Sequence, residues 1–197
     1  VGGGVRKKAF QALARKGLRC HPRSTGALVL PPPLMALLDQ LFVLGLPLVP
    51  RSLMKRFGSR YVAGEDRSAV VHLARRLEGA GYRITCDLLG EEVDQERDVH
   101  AALQEYQILA QEIQQSQLQC HLSVKPSQFG LSLGEDICFE TVRALLEEKS
   151  VANSFVRFEM EDSSTTDATL RVFSRLRPLF GASVGCVLQS MLHRCEQ

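Results

Sequence analysis

The 197-residue sequence has no tryptophan, only 6% aromatic residues and almost no net charge, since 24 Lys and Arg balance 22 Asp and Glu. A formal charge of +2 argues against a broad basic surface of the kind that attracts nucleic acids or anionic membranes. It therefore predicts no nucleic-acid partner. Long hydrophobic runs are also missing. The longest, residues 34–49, is shorter than a membrane span and contains Asp39, which predicts a buried or surface-docking helix.

Several motifs that define common enzyme classes are missing as well. None of the six cysteines forms a CxxC pair, which predicts free thiols in a reducing compartment. The five histidines show no HExxH spacing, so no metal site is expected. No GxGxxG follows a predicted strand and no Walker loop is present, which argues against the common nucleotide-binding folds.

Charge and periodicity divide the chain into three segments. Residues 1–33 contain seven Lys and Arg, no acidic residue and a final run of three prolines. We predict a basic, disordered leader there, with an organelle transit peptide as the alternative. Residues 34–81 are predicted to be an N-terminal helical segment, and residues 82–197 the main domain.

The helical segment contains three candidate helices. Two short ones are predicted near residues 34–45 and 50–59, and a third covers residues 67–79, with Asp66 as its N-cap. The apolar stripe of the third helix consists of Val70, Leu73, Ala74 and Leu77.

In the main domain, strand-like and helix-like patterns alternate. Strand candidates begin near Ile84, Leu122, Val156 and Val184, and helical patterns cover residues 95–117, 136–149 and 164–177. A strand and a helix every ~30 residues are typical of βαβ units, which build a parallel sheet. This pattern leaves an open doubly wound sheet and a (β/α)8 barrel as candidates.

Each predicted strand has one apolar face, and most have a polar opposite face, because successive side chains point in opposite directions. The polar residues Asp87, Lys125, Glu159 and Gln189 stand at the C-terminal ends of consecutive strands. An open sheet covered on both sides prefers apolar residues on both faces, whereas a barrel carries its chemistry at the C-terminal mouth. We therefore predict an α/β fold: the first four βα units of a (β/α)8 TIM-like barrel, preceded by N-terminal helices and incomplete in this chain.

The polar residues allow two kinds of chemistry. Lys125 and a carboxylate could anchor an anionic small molecule beside an electron-accepting ring, with Gln189 hydrogen-bonded to the ring edge. Alternatively, Lys125 could form a Schiff base with a carbonyl substrate. Glu161 has two open interpretations, an internal partner or simple solvation, while Asp162 and the serines after it are expected to cap the next helix.

Four segments occur in the order CDLLGEEV (86–93), LSVKPSQFGLSL (122–133), FVRFEMEDSSTTDATL (155–170) and VGCVLQSMLHR (184–194). Together they resemble the proline dehydrogenase family of flavin-dependent proline oxidases, and the lead-in at 46–65 looks like the family's N-terminal helices. The resemblance implies a distorted (β/α)8 barrel with non-covalent FAD. It also implies oxidation of L-proline to 1-pyrroline-5-carboxylate, with the electrons passed to a quinone.

The same resemblance implies roles for four residues. Lys125 matches the lysine that contacts the proline carboxylate, and Gln189 matches the glutamine that hydrogen-bonds the flavin ring. Met160 matches the position, directly after the acid of the third strand, where the chain touches FAD. Glu159 is the candidate catalytic residue; it stands where most members carry aspartate, so its side chain is one methylene longer.

The resemblance further implies L-proline, a quinone or other respiratory-chain acceptor and an aldehyde dehydrogenase as partners. It places the protein in the cytoplasm, at the periphery of the inner membrane, or in the mitochondrial matrix of a eukaryote. Because only four strands can be counted, we expect the N-terminal half of such an enzyme, inactive alone. The alternatives are a Schiff-base lyase or aldolase and a non-catalytic half-barrel that acts as an interaction protein.

Overall fold

The computed structural model describes residues 9–15, 67–90, 93–151 and 154–190. Its strands are β1 (Ala9–Arg15), β2 (Arg83–Leu89), β3 (Cys120–Val124), β4 (Val156–Phe158) and β5 (Val184–Cys186). Its helices are α1 (Arg67–Gly79), α2 (Glu96–Gln115), α3 (Glu135–Leu146) and α4 (Thr166–Phe180), with a 3-10 turn at Gly181–Ser183. From α1 onward, helices and strands alternate as the sequence pattern predicts.

The strands form a single sheet in the order β1-β2-β3-β4-β5. Strands β2 to β5 are parallel, lie side by side in chain order and are joined by helices α2, α3 and α4. The described residues therefore have an α/β fold with four parallel strands and four helices. This confirms the predicted fold class at that level and is consistent with a partial (β/α) barrel.

Strand β1 differs from the prediction of a disordered leader. It pairs with β2 in antiparallel register along its whole length, from Ala9 opposite Leu89 to Arg15 opposite Arg83. The segment AFQALAR can do so because it has no proline or glycine and the edge of β2 offers unpaired backbone groups. The predicted helices at 34–45 and 50–59, with the cap Asp66, lie outside the described residues.

The helices are amphipathic and turn their apolar side chains toward the sheet. Helix α1 has the predicted bounds and buries Val70 and Ala74. The helix ends at Gly79, and Gly81 in the turn before β2 has a positive φ of 81°, a conformation that glycine adopts without steric cost. No helix in the described ranges is both long and apolar enough to cross a lipid bilayer.

The main core lies between the sheet and these helices, and the predicted alternation of strand residues is confirmed there. The buried strand residues on the helix side are Ile84, Cys86, Leu88, Cys120, Leu122, Val124, Val156, Phe158 and Val184. On the opposite face, Asp87 and Ser123 are also buried, with exposed fractions of 4% and 3%. Polar groups on this second face need partners, and those partners form the site described below.

Four cysteines in the described residues are free thiols, as predicted: Cys86, Cys120, Cys138 and Cys186. The thiol of Cys120 donates to the Cys86 sulfur at 3.1 Å inside the core. That hydrogen bond and burial raise the pKa of Cys86, and burial raises the pKa of Cys138 to about 12. Because thiolate is the nucleophilic form, both side chains are structural rather than reactive. Cys20 and Cys195 lie outside the described residues.

Candidate active site

A cleft of about 720 Å³ opens at the C-terminal ends of β3 and β4. Its lining residues come from the segments that follow strands β2, β3 and β4: Val93, Asp94, Lys125, Ser127, Ser132, Glu159, Met160, Glu161, Asp162, Ser164 and Thr165. Of the predicted site residues, Lys125, Glu159 and Met160 line this cleft together. Gln189, beyond the end of β5, is not one of the lining residues, but its amide donates hydrogen bonds to the backbone carbonyls of Met160 and Glu161.

Glu159 is held at the cleft by the strand next to it. The Ser123 hydroxyl donates to Oε1 of Glu159 at 2.7 Å, and the backbone N–H of Glu159 donates to the Val124 carbonyl at 2.9 Å. Both contacts cross from β4 to β3, so they fix the side chain and the backbone of Glu159 relative to the start of the Lys125 turn. Ser123 was not predicted as a site residue, although its position on the polar face of β3 is visible in the sequence.

Asp87 lies at the end of β2 on the same face and is buried. Burial, reinforced by repulsion from Glu159 and opposed by attraction to Lys125, raises the pKa of the Asp87 carboxyl to about 6. Asp87, Glu159 and Lys125 therefore form one electrostatically coupled group, as the parity of the strands predicted. The buried carboxyl can change its protonation state within the range in which most enzymes work.

Replacing Asp87 with Asn should raise the free energy of unfolding by about 2 kcal/mol at about pH 7.5, with little effect at about pH 4. The native pKa lies above the ordinary aspartate value of about 3.9, so ionisation costs more in the folded protein than in the unfolded chain. The stability that this group contributes therefore falls as the pH rises from about 4 to about 6 and is constant above. Urea unfolding at both pH values measures the difference.

The matched control for this test is Asp94→Asn, which removes a carboxylate from the lining of the same cleft. We expect no comparable gain from it. An equal effect of Asp87→Asn at both pH values, or a loss of stability at the higher pH, would contradict the assigned burial and charge environment of Asp87.

Glu161 and Asp162 have different roles in the loop after β4. Glu161 accepts two hydrogen bonds from Ser127, one from the backbone N–H at 2.8 Å and one from the hydroxyl at 2.5 Å. Of the two open interpretations, the internal partner is therefore the one that the structure has. Asp162 accepts hydrogen bonds from the Ser164 hydroxyl and from the backbone N–H groups of Ser164 and Thr165, which lower its pKa. These contacts close a turn before α4. The predicted cap is wrong, because the N-cap residue of α4 is Thr165 and no side chain caps the helix.

Tyr106 lies on the buried, mainly apolar face of α2 and is a structural residue that the sequence did not indicate. Its buried hydroxyl accepts from the N–H of Leu88 at 3.0 Å and donates to the carbonyl of Ser123 at 2.8 Å. The direct pairing of β2 with β3 covers Ile84 to Cys86, so the hydroxyl bridges the strands beyond their ladder. The signal in the sequence that could have indicated this bridge is a tyrosine, rather than a phenylalanine, on the buried face of α2.

The groups that adjoin the cleft fit a flat heterocyclic cofactor better than a metal. Met160 offers apolar surface, and the Gln189 amide is oriented by two hydrogen bonds of 3.2 Å to the corner of the β4 loop. An apolar contact with a few fixed polar groups is the usual composition of a cofactor site. Across the described part of the chain, no group of three or more His, Cys, Asp or Glu side chains has the arrangement of a metal site.

Parallel strands joined by helices, with a lysine and carboxylates gathered at their C-terminal ends, define the class of α/β proteins whose sites lie at that edge of the sheet. Comparison with known families identifies the group within this class. The family model described as proline dehydrogenase matches residues 70–197, and the chain belongs to that family.

Curated relatives carry the same description. The chain is 31% identical to proline dehydrogenase 1 of Bacillus subtilis over 143 residues, which is 72% of this chain and 47% of that protein. It is 30% identical to proline dehydrogenase of Deinococcus radiodurans over 148 residues, covering 73% of this chain and 48% of that protein. The chain thus spans about half the length of the curated relatives that it matches.

Proposed function

We propose that this chain carries the lysine–carboxylate part of a flavin-dependent enzyme that oxidises L-proline to 1-pyrroline-5-carboxylate and passes the electrons to a quinone. One observation carries the proposal: in a member of the proline dehydrogenase family, Lys125 and Glu159 line a single cleft at the strand ends. The residues that resemblance assigns to substrate and catalysis are therefore close enough to serve one small molecule.

In this proposal, Lys125 donates to the carboxylate of proline, a charge-assisted contact with a strong preference for an anion. Glu159 orients the amine of proline, because its carboxylate accepts a hydrogen bond that the amine donates. Since the Ser123 hydroxyl fixes Oε1 of Glu159, the second oxygen is the better placed acceptor. The glutamate is one methylene longer than the aspartate of most members, and this hydroxyl is the contact that determines where its carboxylate lies.

The flavin would be held by Met160 and Gln189, the first through apolar contact and the second through its amide. FAD, when bound, supplies the acceptor for the hydride that leaves the carbon next to the proline nitrogen. The protein's part is to fix the proline ring through its carboxylate, held at Lys125, and its amine, held at Glu159. These two contacts would hold in place the reacting ring carbon, which is bonded to the nitrogen on the side away from the carboxylate.

The remaining partners belong to the same proposal. The reduced cofactor needs a quinone or another respiratory-chain acceptor, which implies contact with the periphery of a membrane in the cytoplasm or in the mitochondrial matrix. The product carries an aldehyde in its open-chain form, so an aldehyde dehydrogenase is the class of enzyme that would consume it.

The experiment is a titration of the 197-residue chain with L-proline and with pyrrolidine, followed by NMR of backbone amides, and a separate titration with FAD followed by flavin fluorescence. Binding is measured rather than turnover, because the chain spans about half of its relatives. We expect L-proline to shift the amides of residues 123–127 and 159–162 more than pyrrolidine does, since pyrrolidine lacks the carboxylate. FAD should bind with quenched fluorescence.

Two other results would favour other functions. Reductive trapping of a carbonyl ligand on Lys125 by borohydride would indicate a Schiff-base lyase or aldolase. A folded, monodisperse chain that binds neither FAD nor L-proline would contradict the enzyme proposal and favour a non-catalytic interaction protein.

A further inference from the structure

The turn that follows β3 begins at Lys125 and is closed by backbone hydrogen bonds. The carbonyl of Lys125 accepts from the N–H groups of Gln128 and Phe129, at 3.0 and 3.2 Å, and the carbonyl of Pro126 accepts from Leu131 at 3.0 Å. Every residue from Pro126 to Leu131 is buried, whereas Lys125 itself is half-buried and lines the cleft. The direction of the Lys125 side chain therefore depends on how this turn sits against the rest of the site.

Glu161 is the side chain that fixes the turn to the neighbouring strand. Its Oε2 accepts from the backbone N–H of Ser127 at 2.8 Å, and its Oε1 accepts from the Ser127 hydroxyl at 2.5 Å. Both carboxylate oxygens are thus engaged by one residue, in a bidentate and charge-assisted arrangement. Glu161 is also one of the residues that line the cleft.

The same corner is also held from the other side. The Gln189 amide, beyond the end of β5, donates to the carbonyls of Met160 and Glu161 at 3.2 Å each. Residues 160 and 161 are therefore clamped between the Ser127 turn and the end of β5. The clamp joins three consecutive strand ends through side chains, at a place where the backbone pairing of the strands has stopped.

We propose that Glu161 is a positioning residue: its bidentate contact with Ser127 sets the direction of the Lys125 ammonium and thereby the affinity of the cleft for a carboxylate ligand. The inference rests on the proposed function, because it takes Lys125 as the carboxylate contact. It assigns to Glu161 no direct contact with substrate, and it distinguishes Glu161 from Glu159, whose carboxylate has one oxygen bound by Ser123.

The test compares L-proline affinity of the full chain with that of Glu161→Gln, Ser127→Ala and the double variant. Glu161→Gln retains one acceptor oxygen but loses the charge and the second acceptor, and Ser127→Ala removes one donor. Each should weaken L-proline binding by about tenfold, the lower end of what loss of an outer supporting contact costs. The double variant should be no weaker than the weaker single variant, because both changes remove the same contact.

The decisive comparison repeats Glu161→Gln in a Lys125→Met background. If Glu161 acts through Lys125, the second change should have no further effect on L-proline affinity. A full tenfold loss in that background would overturn the proposal, since Glu161 would then act on the ligand directly. The control is Ser154→Ala, which removes a side-chain hydrogen bond of 2.8 Å to the Cys120 carbonyl at the opposite end of β3 and should leave affinity unchanged.

A second readout needs no proline and separates this inference from the proposed function. The rate of Lys125 acylation, followed by mass spectrometry, and the hydrogen exchange of the Ser127 amide should both increase in Glu161→Gln and not in Ser154→Ala. If the wild-type chain bound no proline, the proposed function would fail. The acylation and exchange rates would still show whether Glu161 holds the Ser127 turn and positions Lys125. Unchanged acylation and exchange in a folded Glu161→Gln chain would overturn this inference, and Ser127→Ala supplies the same test if Glu161→Gln does not fold.

Discussion

Tyr106→Phe should lower the free energy of unfolding by about 2–4 kcal/mol, because it leaves two buried backbone groups without a partner. In the native protein the Tyr106 hydroxyl accepts from Leu88 and donates to Ser123, on two adjacent strands. Phenylalanine fills the same volume, so the packing of the ring against Phe129 is kept and the loss is that of the hydrogen bonds. Since Tyr106 is fully buried, water cannot easily replace its hydroxyl.

Urea unfolding of the wild type and the variant, at the same pH, measures this change. The control is Tyr82→Phe, a hydroxyl removed from a half-buried tyrosine near the other end of β2, for which a change below about 1 kcal/mol is expected. An equally small change for Tyr106→Phe would mean that the strands close over the gap and pair directly. A large loss would instead identify the hydroxyl as the group that joins β2 to β3 beyond their direct pairing.

The sequence predicted the parallel sheet and most of the site because both depend on short-range periodicity. Residues two apart in a strand share a face, so Ser123 and Lys125, and separately Arg157 and Glu159, could be assigned to the polar side without a structure. Parallel connection through helices then brings the ends of β3 and β4 to one edge. The placement of Lys125 and Glu159 at one cleft follows from these two facts.

The parts that the sequence did not predict depend on contacts between distant residues. The bidentate contact of Glu161 with Ser127 joins residues 34 positions apart, and both lie beyond their strands, where a period of two no longer applies. The hydroxyl of Tyr106 was hidden because its ring alone satisfies the apolar stripe of α2. Strand β1 was missed because its alternation is weak and its basic neighbours dominate the composition of the leader.

Lys125→Met is expected to weaken L-proline binding by about 100-fold or more, the largest functional effect that we predict, because a charge-assisted hydrogen bond contributes about 1.5–3 kcal/mol. The loss has a second cause. Without the ammonium, the negative charge of Glu159 and of ionised Asp87 repels the carboxylate of the ligand. Isothermal titration of the chain with L-proline measures the change, and Lys149→Met, which removes an exposed lysine beyond α3, should bind as the wild type does.

The pKa of Asp87 provides an independent measurement of the same contact. Attraction to Lys125 lowers that pKa, against the larger opposing effects of burial and Glu159, so Lys125→Met should raise it above about 6. NMR titration of the Asp87 carboxyl detects the shift without any ligand. A raised pKa with unchanged proline affinity would mean that Lys125 interacts with the carboxylates but does not bind the substrate. A raised pKa with lost affinity, restored in part by Lys125→Arg, would support one ammonium acting on both the buried acid and the bound carboxylate.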